Sequence, residues 1–157
     1  MGLESATTYE AIRARVATPL GTSQWVSIDQ AWIDDFARVT RDHDPMHVDP
    51  QWAADHSPYG TTVAFGFQTL SLLTWLQHEV VRWPDNALYG LNYGFDRLRF
   101  VAPVPVDSRI RAHFALAGAS RDDDGRIRLE TDVQVEIEGE QRPALVARWL
   151  ALLALRE

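Results

Sequence analysis

From about residue 110 to the C-terminus, apolar and polar side chains take turns. Ile110, Ala112, Phe114 and Leu116 alternate with polar or small neighbours, and Ile127, Leu129, Val133, Val135 and Ile137 continue the pattern. A period of two marks strands with one face in a core. Asp124-Gly125 within RDDDGR predicts a hairpin turn, EGEQRP a second turn, and ALVARWLALLAL a closing strand. Upstream the period changes. SIDQAWIDDFARVT places Trp32, Ile33, Phe36 and Val39 along one face, behind Ser27 and Gln30 at capping-box spacing, and predicts a helix over 28–39. Tyr9, Ile12 and Val16 predict a short helix within 7–16, SQWVSI a short strand, and Asp49-Pro50 the start of another short helix, PQWAADH. The segment GFQTLSLLTWLQHEVVR, residues 66–82, is apolar on nearly every side, and a helix of that kind belongs in an interior. Trp32 and Trp75 sit at core spacing on these two helices. Helices first and three or four long antiparallel strands afterwards predict the α+β class, with a sheet wrapped around a long buried central helix. A length of 157 residues fits a single domain, with residues 1–22 as an N-terminal extension carrying the first short helix.

Composition narrows the chemistry. A net charge of −7 argues against nucleic acid as a partner, because phosphate backbones need a basic surface. There is no cysteine, which removes thiol nucleophiles, disulfides and thiolate-bound zinc. There is no lysine either, so Schiff-base chemistry and a P-loop are excluded. The N-terminal stretch is too polar for a signal peptide and the apolar run from 63 to 76 too short and hydroxyl-rich for a membrane span, so a cytoplasmic protein without membrane contact is expected.

The stretch TRDHDPMHVDP, residues 40–50, concentrates three aspartates, two histidines and two prolines. Pro45 breaks a continuous helix and holds Asp44 extended, so a turn can aim Asp42 and His47 at one point. A carboxylate and an imidazole sharing one water form a general acid/base pair. On spacing alone, a solvated acidic loop remains equally open, since Asp and Pro are ordinary turn residues. A metal site is the third reading, but the order of donors matches neither the H-E-x-x-H pattern nor a calcium loop, so no metal is expected.

The same stretch resembles the signature of the MaoC-like hydratases, the (R)-specific enoyl-CoA hydratase group, and within it the NodN-like branch. That signature runs F-A-x-x-[ST]-G-D-x-N-P-x-H-x-D and then an apolar stretch ending A-H-G; this chain reads FARVTRDHDPMHVDP from Phe36 and YGTTVAFGFQTLSLL from Tyr59. The segment LNYGFDRLRFVAPVPVDSRIRAHF is also similar to that branch, and the resemblance runs from about Gln24 to the C-terminus. It implies a hot-dog fold, an antiparallel sheet wrapped around a central helix. It further implies reversible addition of water to a trans-2-enoyl thioester without a cofactor, an acyl-CoA substrate, and a homodimer. By position it implies that Asp42 and His47 are the catalytic pair and that the Gly66 N–H receives the thioester oxygen. Phe65, Asp44 and Tyr59 then become candidate substrate-binding residues.

Three positions depart from the pattern. Arg41 replaces a glycine, Asp44 an asparagine, and Phe65 the histidine of A-H-G. Phe65 admits two readings, a pocket suited to a bulky apolar acyl group or a core substitution. Two further functions stay open: an acyl-CoA thioesterase on the same fold, against which the Asp42/His47 pair argues, and a non-catalytic acyl-thioester or small-ligand binding protein. Arg97, Arg99, Arg109 and Arg111 alternate as on a strand, where they either form a solvated face or reach the phosphates of a carrier.

Overall fold

A computed structural model describes residues 2–156. After helix α1 (Tyr9–Arg13), strands β1 (Thr18–Thr22) and β2 (Val26–Ile28) lead into helix α2 (Gln30–Thr40) and two short helices, α3 (Pro45–Val48) and α4 (Pro50–His56). Helices α5 (Gly66–Ser71) and α6 (Leu73–His78) precede four long strands: β3 (Ala87–Phe100), β4 (Ser108–Arg121), β5 (Ile127–Ile137) and β6 (Leu145–Leu155). The strands form one antiparallel sheet in the order β1-β4-β5-β6-β3, with β2 pairing a second stretch of β4. This is the wrapped-sheet α+β architecture expected from the periodicity.

The alternation of β4 and β5 sorts faces as predicted. Ile110, Ala112, Phe114 and Leu116 are buried, as are Ile127, Leu129, Val133, Val135 and Ile137. Against that face pack Leu73 and Leu76 of α6 together with Ile33 and Ala37 of α2, in one continuous core. The hairpin between β4 and β5 turns at Gly125, whose φ of 80° suits the expected Asp-Gly turn. The N-terminal segment belongs to the same core: Leu3 and Ile12 are buried, and the Leu3 N–H donates to the Arg82 carbonyl at 2.8 Å.

Several boundaries and burials differ from expectation. The central helix is two short helices joined at Leu72, and it ends at His78 rather than near residue 82. It is not buried on all sides. Phe67 is 68% exposed and Trp75 44%, and Trp75 meets Trp32, itself 38% exposed, edge to face at 6.1 Å. The two tryptophans therefore pair at the surface rather than in the core. α2 starts from Asp29, whose carboxylate accepts from the Trp32 N–H at 2.9 Å, and Ser27 lies in β2 instead of capping. Among the described residues no helix is long and apolar enough to cross a membrane.

Candidate active site

Local chemistry shapes residues 40–50 one aspartate at a time. Asp42 accepts from the Asp44 N–H at 3.2 Å, an Asx turn that reverses the chain after α2. Asp44 caps α3 by accepting from the Met46 N–H at 2.9 Å, with Pro45 preset as its first residue. Asp49 does the same for α4, accepting from Trp52 N–H at 2.9 Å ahead of Pro50. The acidic character of the stretch is thus largely a capping device. Among the described residues no three His, Asp or Glu side chains converge as metal ligands.

Two neighbours fix the His47 ring. Its Nδ1 lies 2.6 Å from the Val63 carbonyl oxygen, which can only accept, so Nδ1 carries the proton and Nε2 is left as the working nitrogen. The ring stacks on Phe65 with centroids 3.8 Å apart, and Phe65 in turn meets Phe36 of α2 at 5.2 Å. Phe65 is buried.

Gln30, at the first turn of α2, holds this arrangement from behind. Its amide nitrogen donates to the His47 carbonyl at 2.8 Å, while its oxygen accepts from Thr62 at 2.6 Å. It joins α2, α3 and the segment leading into α5. Sequence reasoning used Gln30 only as half of a capping box and missed this role; the two positions it links are 17 and 32 residues away.

Gly66 opens α5, and Phe65 at the cap position offers no side-chain acceptor. Among the described residues, the Gly66 N–H has no protein partner, as befits the first turn of an uncapped helix. A Cβ at this position would lie 3.0 Å from the ring of Phe100, which would have to give way by a few tenths of an ångström.

His47 and Gly66 line one cavity of about 340 Å³, whose other walls include Met46, Tyr59, Thr69 and Phe100. Of the residues singled out from sequence, His47, Gly66 and Tyr59 are brought together here. Asp42, Asp44 and Phe65 are not in its lining: both aspartates are exposed, and Phe65 stacks on the imidazole.

Residues 11–139 match the family model described as the MaoC like domain. The chain is 42% identical over 142 residues to nodulation protein N of Rhizobium leguminosarum bv. viciae, covering 90% of this chain and 88% of that protein. It is also 42% identical to the 3-hydroxyacyl-thioester dehydratase Z of Mycobacterium tuberculosis (strain ATCC 25618 / H37Rv), covering 89% of this chain and 93% of that protein. Among solved structures, the unliganded R-hydratase PhaJ1 from Pseudomonas aeruginosa superposes with a TM-score of 0.70 at 19% identity, covering 96% of this chain and 87% of that one.

Proposed function

The chain belongs to the MaoC-like domain family, whose hot-dog fold it shares, and from that premise we propose that it is an (R)-specific enoyl-CoA hydratase, acting in reverse as a 3-hydroxyacyl-CoA dehydratase. The observation that carries this reading is the convergence of His47 and the unpartnered Gly66 N–H on one cavity. The acyl-thioester lies in that cavity with its carbonyl oxygen toward Gly66 and C3 toward the water held by His47 and Asp42. The water oxygen bonds to C3, and the C2–C3 π electrons move to C2 and the carbonyl, which gathers negative charge as an enolate. The Gly66 N–H stabilises that charge, an interaction stronger in the transition state than in the bound substrate. The Asp42/His47 pair takes one proton from the water and returns one to C2, so a single water is added in total. The Val63 carbonyl keeps Nδ1 protonated, which leaves Nε2 as the exchanging atom.

A second reading, binding without turnover, draws on one observation: Asp42 is exposed and outside the cavity lining. One experiment separates the readings. Crotonyl-CoA and longer or branched enoyl-CoAs are incubated with the protein, following loss of the conjugated thioester absorbance and release of free thiol. Hydration without thiol release is expected; thiol release would make the protein a thioesterase, and tight binding with no turnover would make it a binding module. Asp42→Asn is expected to lower hydration by about 10²–10⁴-fold, the usual weight of one acid/base group, with the circular dichroism unchanged. Full activity in that variant would remove Asp42 from the mechanism.

A further inference from the structure

A cavity of about 720 Å³ lies apart from the one that holds His47. It lies on the opposite face of the sheet, where the outward residues of five strands meet. Pairing sets its floor: His113 stands opposite Thr22 of β1 and Gln134 of β5, and Arg97 and Arg99 stand opposite Arg148 and Val146 of β6. Pro19, Ala115 and Val146 give this floor its apolar positions, while Gln134 and Asp132 of β5, the latter paired with Arg148, lie between Ala115 and Val146.

Charge is arranged unevenly around it. The other strand arginines on this face are matched to carboxylates: Arg109 to Glu138 at 2.9 Å, Arg111 to Glu136 at 2.7 Å, Arg128 to Asp96 at 3.3 Å, and Arg148 to Asp132 at 2.7 Å. Arg97 and Arg99 are the exceptions. Among the described residues neither has a carboxylate in ion-pair range, and Arg99 donates only to the Leu98 carbonyl at 2.8 Å. In a chain with 22 acidic residues against 15 basic ones, two neighbouring free guanidiniums beside an apolar floor form an unmatched positive end. A guanidinium fork is suited to the paired oxygens of a carboxylate or phosphate. The volume lies within the range of small-molecule sites. In a chain whose net charge is −7 as a whole, a long polyanion is repelled and a compact one is not.

We propose that this outer cavity is a second binding site, separate from the His47 cavity, for a small amphipathic anion. Its apolar body lies over Ala115 and Val146, and its carboxylate or phosphate is held by Arg97 and Arg99. The proposal does not depend on the hydratase reading, because it uses none of that site's residues.

The test uses three probes with one body, 2-naphthoate, 2-naphthyl phosphate and neutral 2-naphthol, titrated calorimetrically into the intact protein. Saturable binding of one anion per chain is expected, at least tenfold tighter than the neutral probe, and the stronger of the two anions identifies the headgroup. Arg97→Gln with Arg99→Gln, both exposed positions, is expected to remove that tenfold preference while leaving the weak naphthol binding. Ala115→Trp, which fills the floor, is expected to abolish binding of all three. Crotonyl-CoA added in excess is expected not to displace the anion. No saturable anion binding, an unchanged preference in the arginine variant, or displacement by crotonyl-CoA would each overturn the proposal.

Discussion

Arg41 holds a φ of 66° and ψ of 18°, the left-handed conformation that ends α2, with its N–H donating to the Ala37 carbonyl at 2.8 Å. A side chain in this region crowds its own backbone, which is why glycine is the usual residue after a helix. The family signature has glycine at this position, and the geometry shows the physical reason. Arg41→Gly is therefore expected to stabilise the protein by about 1 kcal/mol and to raise the melting temperature by about 2–4 °C in calorimetry. A fall instead would mean that the exposed guanidinium makes a contribution that outweighs the strain. At this scale the sequence was most readable where a motif picks out the residue. Resemblance to the family signature singled out Asp42, His47 and Gly66, of which His47 and Gly66 line one cavity and Asp42 does not. No motif picks out Val63, because it contributes only a carbonyl that any residue carries, or Gln30, because its partners are remote in the chain. Phe65 follows the second of its two sequence readings, the core substitution. It is a core residue, but one whose face supports the His47 ring.

Among the elements, β4 and β5 were the most legible, since their alternation reports a one-sided core. The strand β3 was not, since its apolar side chains fall on both faces: Leu88, Tyr89, Leu91 and Tyr93 are all exposed in this 14-residue edge strand. The outer face of the β4–β5 ladder offers a stability prediction. Arg111 and His113 both bond to Glu136, each at 2.7 Å, and hold its carboxyl below the usual 4.5, Arg111 chiefly, against the opposing effect of burial. In the unfolded chain that restraint is lost and the carboxyl takes up a proton at higher pH. The pair therefore adds stability above the unfolded value, and this is lost as pH falls through the lowered folded value. Glu136→Gln is expected to melt below the wild type at pH 7, with the gap closing as the pH drops below 4.5. Melting curves collected from pH 7 to 3 check this, and a gap independent of pH would show that packing rather than charge is responsible.

At the scale of the whole molecule, β3 and the central helices leave large apolar side chains exposed. Leu91 is 48% exposed and Tyr93 61% on the sheet edge, and the exposed Phe67 meets Phe100 of the same strand at 5.6 Å. An open edge strand of this length, rich in large apolar side chains, invites pairing with another chain. The simplest closed partner is a second copy related by a twofold axis, with β3 antiparallel to its counterpart, so that two sheets become one and no edge of this kind stays open. Part of the exposed stripe of the central helices lies on that flank, since Phe67 of α5 meets Phe100 of β3. Light scattering at tens of micromolar is expected to give twice the mass of the 17.8 kDa chain. Leu91→Glu with Tyr93→Glu would bring like charges together across the axis, because an isologous interface presents each change twice. That variant is expected to run as a monomer with a lower melting temperature, and a wild type already monomeric at that concentration would defeat the model. Hydration measured on the same variant then separates two roles of the second copy. Activity that falls with the mass places the partner beside the Phe100 wall of the His47 cavity, whereas activity that survives confines the dimer to stability.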